Sequence, residues 1–271
     1  MAHDINQRLL REIRRPSNWR GIIRHKLRRQ INATRRARRK KVPGADFQGA
    51  PSTPTIVAGV SDRFEQGKAH FREHGWAYIE DFFSDSMHST ILGNWPDLCW
   101  FELKANPSKS YDFGPHWTKR QKNRVIGIGE AFYSGFDCLS SEEFARRVSD
   151  FCGDGVRRAT GGPHAVWARP GSHLLPHLDD VSVFGNSIVN FVIFIDGSSP
   201  SLSSGGTSFF ATNTFDQPLF VPRTLRNSAL VYSTGASVYH GFPKVARGKF
   251  SKRIIVNFQP VDLLEKDGIV A

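Results

Sequence analysis

The sequence is poor in cysteine and methionine and has no long apolar run. Its 271 residues include three cysteines, Cys99, Cys138 and Cys152, and two methionines. So few cysteines, none of them in a C-x-x-C pair, exclude a disulfide scaffold and a zinc ribbon and are typical of a reducing compartment. No apolar run approaches the length of about 18 residues that indicates a membrane-spanning segment, so we expect no transmembrane helix.

The N-terminal segment, from position 1 to position 41, nearly lacks acidic side chains and lacks the apolar h-region of a secretory signal. It contains 15 Lys and Arg against two Asp and Glu, a net charge of +13, whereas the rest of the chain contains 22 against 23, a net charge of −1. The overall charge of +12 therefore belongs to a basic arm that precedes a near-neutral globular part. We expect a cytoplasmic protein.

The basic arm, residues 1–41, also has an apolar stripe. Apolar residues recur roughly at helical spacing between the basic positions, namely Trp19, Ile22, Ile23, Leu27 and Ile31. A basic amphipathic helix suits an anionic membrane surface, a nucleic acid or an acidic protein partner, and it can equally pack on its own domain. These four roles stay open, and the first would place the protein at the periphery of a membrane.

After the arm, the composition indicates a linker and one large domain. Residues 42–57 are rich in Pro, Gly, Ser and Ala, which predicts a linker. We expect the domain over residues 58–265, with its core at 163–260. Amphipathic segments at 61–75, 84–95 and 140–153 predict helices, with Ser61 a candidate N-cap and Gly75 and Gly153 as helix ends. Short β-branched and aromatic runs in the second half predict an antiparallel sandwich or barrel. The expected fold class is therefore α+β.

The segment SHLLPHLDD contains a candidate metal site. His177 and Asp179 lie two residues apart and would face the same side of an extended strand. Pro176 disfavours a helix, so His173 and His177 are not expected to form the i, i+4 pair of a zinc helix. An H-x-D triplet alone is a weak signal, and a third ligand has to come from elsewhere. His240, which follows the apolar run SALVYST, is the candidate.

A cationic residue opens the last apolar run of the domain. Arg253 would share a strand face with Ile255, Asn257 and Gln259, and Lys252 would point outward. An inward-facing arginine needs an anion, and its planar fork suits a carboxylate. Two histidines and one carboxylate with open positions form the facial triad of non-haem Fe(II) oxygenases. An organic diacid would fit both groups, with one end on the metal and the other at Arg253.

Six motifs follow one another in a fixed order, namely RPGSHLLPHLDD, SIVNFVIFID, SSGGTSFF, NSALVYST, HGFPKVARG and KRIIVNF. On these motifs, the stretch from about Val166 to Pro260 resembles the Fe(II)/2-oxoglutarate-dependent dioxygenases, particularly the prolyl-4-hydroxylase-like branch. The resemblance implies a double-stranded β-helix core, a jelly-roll of the cupin-like kind, with supporting N-terminal helices.

The resemblance also implies roles for individual residues. His177, Asp179 and His240 would bind the catalytic Fe(II), and Arg253 would bind the distal carboxylate of 2-oxoglutarate. Enzymes of this family use O₂ to convert 2-oxoglutarate to succinate and CO₂ and usually hydroxylate a C–H bond, and ascorbate is a candidate accessory reductant. The expected substrate is a peptidyl proline or a small molecule, and desaturation or ring closure would use the same iron site.

Two positions depart from the family pattern. Arg169 stands where related hydroxylases often have Tyr, and Phe194 stands where some members have a Tyr whose hydroxyl contacts the cosubstrate. Phe194 cannot donate a hydrogen bond, so we expect Asn190, on the same strand face, to contact the cosubstrate instead. Arg169 is expected to bind the cosubstrate or an acidic substrate.

Two other functions use some of the same features. One is a non-catalytic protein that acts through the basic arm on a membrane or a nucleic acid, and the other is a cupin-like metal-binding protein. Cupins usually have an additional His or Glu ligand and lack the terminal Arg, so the set of two histidines, one aspartate and one arginine favours the oxygenase. The aromatic and basic segment at 111–124 is expected either to cover the mouth of the site or to be an ordinary surface excursion.

Overall fold

The computed structural model of the chain describes residues 59–96, 100–105, 108–116, 128–153, 155–158, 162–179, 189–234 and 238–260. The basic arm and the linker predicted at 42–57 lie outside these residues, and their roles stay predictions. Within the described ranges, no helix is both long enough and apolar enough to span a membrane.

The helices lie in the first half of the described chain. They are α1 (Lys68–His74), α2 (Asp85–Gly93), α3 (Glu130–Ser140) and α4 (Glu142–Cys152), with short 3₁₀ segments at Asp62–Gly67 and Leu202–Ser204. Helices α1, α2 and α4 fall in the segments predicted as helical, whereas α3 was not predicted.

Serine hydroxyls and glycines cap the ends of α1, α2 and α4, whereas the predicted N-cap Ser61 makes no side-chain capping hydrogen bond. The hydroxyls of Ser84 and Ser141 accept hydrogen bonds from backbone N–H groups at the starts of α2 and α4, at 3.3 and 3.0 Å. Gly75 and Gly153 end α1 and α4 with φ of 74° and 86°, a left-handed conformation that glycine adopts without strain. These caps explain why the chain stops and starts helices where it does.

The strands form one antiparallel sheet. They are β1 (Trp76–Glu80), β2 (Phe101–Ala105), β3 (Lys109–His116), β4 (Val156–Arg158), β5 (His164–Ala168), β6 (His173–His177), β7 (Val189–Gly197), β8 (Ser208–Phe210), β9 (Pro218–Phe220), β10 (Ser228–Ser233), β11 (Tyr239–Phe242) and β12 (Ser251–Pro260). Their order is β1-β10-β7-β12-β5-β3-β6-β11-β8-β9, with β2 on β3 and β4 on β12.

This order curls the sheet around a cavity. The wall β10-β7-β12-β5 continues through β3 into the wall β6-β11-β8, and residues of both walls line the same space. Helices α1 to α4 contribute to the hydrophobic core that also contains one face of β7 and β12. The arrangement confirms the predicted α+β class and the double-stranded β-helix with supporting helices.

Strand β7 shows how the core and the cavity are separated. Phe191, Ile193 and Ile195 belong to the core shared with the helices, whereas Val192 and Phe194 belong to a second cluster inside the curled sheet. Successive side chains of a strand point to opposite faces, so one apolar run supplies both clusters. This double burial explains why the run is apolar without alternation.

The segment 111–124 is described only in part. Residues 111–116 belong to strand β3, which pairs with both β5 and β6 and joins the two walls of the sheet. They are thus part of the sheet and not a cover over it, while 117–124 lies outside the described residues. The sequence pattern did not predict this strand, because the Gly114–Pro115 dipeptide is a common turn signal.

Candidate active site

The pairing of two neighbouring strands brings the predicted metal ligands together. His177 ends β6, Asp179 follows two residues later, and His240 in β11 lies directly opposite His177 in the antiparallel register. A Cβ on Gly241 would lie 2.4 Å from the carbonyl oxygen of Leu174, closer than real Cβ atoms approach. Glycine at 241 therefore permits the close contact of β11 with β6 that sets His240 beside His177.

The three side chains converge on one point. Nε2 of His177 and Nε2 of His240 lie 3.6 and 3.4 Å from Oδ1 of Asp179. One ligand atom from each residue lies within 4.8 Å of the other two, and no other His, Cys, Asp or Glu group of the described chain clusters in this way. Atoms this close together could all bind one metal ion.

Hydrogen bonds orient two of the ligands. Nδ1 of His177 donates to the carbonyl oxygen of Leu175 at 2.9 Å, which leaves Nε2 free to bind a metal ion. Nδ2 of Asn190 donates to Oδ2 of Asp179 at 2.7 Å, so Oδ1 faces the two imidazoles. Partners of this kind fix the rotamer of a ligand and tune its basicity.

The electrostatics of the cluster favour a cation between these groups. Burial acts to raise the pKa of Asp179, but hydrogen bonds with His177 and His240 and their charges hold it well below its usual range. Burial lowers the pKa of His240. Burial acts in the same direction on His177, but hydrogen bonds to Asp179 and Leu175 raise its pKa above the usual value. The aspartate is thus an anion at neutral pH, as a metal ligand must be.

Arg253 is a buried cation whose hydrogen-bonding capacity is largely unused. The residue is 1% exposed, and Nη1 donates to the hydroxyl of Thr207 at 2.8 Å. Nε and Nη2 are buried without a hydrogen-bond partner, and the guanidinium lies 4.6 Å from the centre of the Phe242 ring. Burial lowers its pKa to about 10, so it is still charged at neutral pH. A buried charge with free donors is a site for an anion.

Arg253 and the triad share one cavity. Its volume is about 650 Å³, a size typical of small-molecule sites. Ile255 and Asn257 line it together with Arg253, as the alternation along β12 predicts. Lys252 lies on the other face, where Nζ is 3.8 Å from Asp196, in agreement with its predicted outward direction.

Asn190 lies in the cavity, as expected of a cosubstrate ligand, whereas Arg169 does not. Asn190 lines the cavity, but its amide is hydrogen-bonded to Asp179 and to Tyr232. Arg169 is not among the described residues that line the cavity. Its Nε is 3.0 Å from Asp112, and its guanidinium lies 3.9 Å from the centre of the Trp167 ring.

The reason for the position of Arg169 is the alternation of β5. Val166 lines the cavity, whereas Trp167 and Arg169 continue the opposite face. Arg169 therefore lies outside the described lining of the cavity, and its predicted role as a ligand of the cosubstrate or of an acidic substrate stays a prediction. His173, at the start of β6, stays outside the triad, as expected.

Two tyrosines of the cavity were not predicted as site residues. Tyr111 and Tyr232 line it from β3 and β10, and burial raises the pKa of both, so their phenols are neutral donors. Phe194 is fully buried in the inner cluster. Phe194 stands where some related proteins have a tyrosine that contacts the cosubstrate. Within the described lining, Tyr111 and Tyr232 are the residues that could offer a phenol hydroxyl instead. A sequence signal for Tyr232 did exist. It lies two residues after Leu230 in the run SALVYST, so both side chains face the inside of the curled sheet.

No family model matches the chain, and no curated protein matches it. Several solved structures do. A prolyl hydroxylase from Trichoplax adhaerens, in complex with a peptide fragment of the hypoxia inducible factor oxygen degradation domain, is 12% identical with a TM-score of 0.51, over 77% of this chain and 94% of that one. An oxidoreductase of the 2OG-Fe(II) oxygenase family from Burkholderia pseudomallei is 12% identical with a TM-score of 0.50, over 80% and 96%.

A third similar structure is a non-heme alpha ketoglutarate dependent epimerase from nogalamycin biosynthesis. It is 10% identical with a TM-score of 0.50, over 72% of this chain and 82% of that one. At these identities the similarity shows a shared fold. It agrees with the double-stranded β-helix that the motif order predicts.

Proposed function

We propose that the protein is an Fe(II)- and 2-oxoglutarate-dependent dioxygenase that hydroxylates a C–H bond of a small-molecule or peptidyl substrate and releases succinate and CO₂. One observation carries the proposal: the cluster of His177, Asp179 and His240 shares a cavity with Arg253, whose Nε and Nη2 are buried without partners. The shared fold with 2-oxoglutarate-dependent oxygenases supports it.

The donor set suits a ferrous ion. Two imidazole nitrogens and one carboxylate oxygen form the ligand set of non-haem Fe(II) oxygenases. No fourth His, Cys, Asp or Glu of the described chain joins the cluster, which leaves coordination positions for exogenous ligands. When bound there, the ion would supply the sites and electrons through which O₂ oxidises 2-oxoglutarate and the substrate.

Arg253 is suited to hold the distal carboxylate of 2-oxoglutarate. Its two free nitrogens can donate a pair of parallel hydrogen bonds to one carboxylate. The hydroxyl of Thr207 accepts from Nη1, which fixes the guanidinium, and its own proton can be donated to the same carboxylate. The contact is sheltered from water because Arg253 and Thr207 are 1% and 3% exposed.

The neighbouring phenols complete the anion site without adding charge. Tyr111 and Tyr232 stay protonated at neutral pH because burial raises the pKa of both. They can therefore donate hydrogen bonds inside the cavity. A second carboxylate here would repel the diacid, and the described lining contains only that of Asp179.

The basic arm is proposed to hold the enzyme at an anionic surface in the cytoplasm, either a membrane or a nucleic acid. Its net charge of +13 supports this role. Deletion of residues 1–41 should leave metal binding intact and lower retention on anionic liposomes or on RNA. The proposal would be contradicted if the truncated protein were retained as well as the full chain and if salt did not weaken that retention.

A direct test measures succinate formed from 2-oxoglutarate by the full-length protein with Fe(II) and ascorbate in air. We expect turnover, even without substrate, that the Asp179→Ala variant loses and the His173→Ala control keeps. Mass spectrometry of a cell extract after incubation should show a product that has gained one oxygen atom. Succinate formation no faster than that of Asp179→Ala, with Fe(II) bound, would refute the proposed function.

A further inference from the structure

One cationic residue of the cavity has no role in the function proposed above. Lys109 begins β3 and lines the cavity on the side of the triad. Its backbone is fixed, because it lies opposite Leu174 in the β3–β6 register and the N–H of Leu175 donates to the carbonyl oxygen of Ser108 at 2.8 Å. Strand pairing therefore holds Lys109 beside the strand that ends in His177.

The charge of Lys109 is not compensated by the described part of the chain. The side chain is half-buried, and no hydrogen bond or ion pair joins its ammonium group to a described residue. Lys109 lines the same cavity as His177, Asp179 and His240, and it pairs with Leu174 on the strand that ends in His177. The cavity thus has two separate cations, Arg253 in its buried wall and Lys109 near the triad.

An apolar surface lies next to this charge. The lip, as we call Leu175, Pro176 and Leu178, lines the cavity on either side of His177. Leu175 and Leu178 are 39% and 45% exposed, and they are two of the four large apolar side chains exposed in the described residues. Exposed apolar side chains that adjoin a polar site mark a surface for ligand contact.

We propose that the substrate is an anionic amphiphile, in which a carboxylate or phosphate pairs with Lys109 and an apolar segment lies on the lip beside His177. This substrate class rests on the proposed function for its chemistry, although binding can be measured without turnover. A cationic or purely polar substrate would leave the lip uncovered or place like charges together. Arg253 would be occupied by 2-oxoglutarate, so among the described lining residues Lys109 is the cation left for the substrate.

The test measures binding to full-length protein loaded with Zn(II), which is redox-inert, at saturating 2-oxoglutarate. The probes share one chain and differ in the head group: octanoate, octyl phosphate, octanol and octylamine. We expect octanoate or octyl phosphate to bind about tenfold more tightly than octanol, as a partly shielded ion pair allows. Octylamine should bind more weakly than octanol, and comparing the two acids separates a carboxylate site from a phosphate site.

Matched variants separate the charge from the apolar contact. Lys109→Gln should lower the affinity for the acid about tenfold, to that of octanol, and leave octanol unchanged. Lys104→Gln, an exposed lysine on the neighbouring strand β2, should change neither. Leu178→Ser should weaken acid and alcohol by the same factor.

Several outcomes would overturn the proposal. These are equal affinities of octanoate, octyl phosphate and octanol, no binding by any probe, or tighter binding of octylamine, and all three are measured on the unaltered protein. If Lys109→Gln folds, as its melting curve would show, unchanged affinity for the acid also overturns it. Binding of 2-oxoglutarate is titrated first, so a protein that binds no 2-oxoglutarate contradicts the proposed function and not the substrate class.

Discussion

The two faces of strands β7 and β12 differ in nearly every physical respect. On the helix side, Phe191, Ile193 and Ile254 are fully buried in an apolar core. On the cavity side, Asn190 binds the predicted metal ligand Asp179, and Arg253 has two nitrogens without a hydrogen-bond partner among the described residues. Successive residues of one strand thus contribute in turn to the apolar core and to the cavity. Substitutions on the two faces should therefore change different observables.

The helix-side face is a cluster of aromatic rings. Phe191 lies with its centroid 5.6 to 6.3 Å from those of four other rings, and these belong to Phe64, Phe82, Phe144 and Phe258. Several of these contacts are edge-on or tilted, the geometries that aromatic pairs prefer. The cluster joins 3₁₀, helix and strand segments, so its packing supports the sheet that carries the site.

The largest effect on stability is expected from Phe191→Ala. Loss of a buried phenylalanine should lower the free energy of unfolding by about 3–5 kcal/mol, because a cavity is left among rings that cannot collapse into it. Urea denaturation measures this loss, and Phe191→Leu should lose less. The affinity of the folded fraction for 2-oxoglutarate should be unchanged. If Phe191→Ala had normal stability but a lower affinity for 2-oxoglutarate, the two faces would not have separate roles.

The opposite pattern is expected from Arg253→Met, which removes the charge and keeps most of the volume. The affinity for 2-oxoglutarate should fall by about 2–5 kcal/mol, the usual loss when one partner of a buried charge pair is removed. Stability should hold or rise, because an incompletely paired buried cation is no longer desolvated. Calorimetric titration and urea denaturation measure the two quantities, and Lys252→Met, one residue away on the other face, should keep cosubstrate affinity. If Arg253→Met and the wild type bound 2-oxoglutarate equally well, Arg253 would not be part of the anion site.

A smaller effect is expected from Asn190→Ala, because Asn190 acts through Asp179. Loss of its hydrogen bond should weaken metal binding about 10- to 100-fold, the range typical of partners of metal ligands. Asn257 is its cross-strand neighbour and also lines the cavity, so Asn257→Ala is the matched control. Competition with a chelator measures the affinity. A variant that keeps metal affinity but loses affinity for 2-oxoglutarate would instead support the cosubstrate contact that the sequence predicts for Asn190.

The smallest effect concerns pH. In the metal-free protein the pKa of His177 is raised and that of His240 is lowered. A metal ion must therefore displace a proton mainly from His177, and below the pKa of His177 the affinity should fall by about tenfold per pH unit. Calorimetry in buffers of different ionisation enthalpy counts the released protons. Affinity that does not change between about pH 5 and pH 7 would contradict this assignment.

Local patterns predicted much of this arrangement. Caps and amphipathic spacing located α1, α2 and α4, and period 2 along β12 placed Arg253 inward and Lys252 outward. Its position after an apolar run made His240 the candidate third ligand, and the resemblance to a family then implied that role. Helix α3 and strands β2 and β3 were not predicted, and extending the β5 alternation past Ala168 would have placed Arg169 on the Trp167 face.

The sequence by itself determined which residues alternate within each strand and which side chains can bind a metal or an anion, because those properties depend on neighbours in the chain. Only the tertiary structure decided that His240 lies opposite His177 and that Lys109 and Thr207 reach the same cavity. These contacts depend on the hydrogen-bond register between strands that are distant in sequence. The packing of the whole sheet fixes that register, and a local pattern does not contain it.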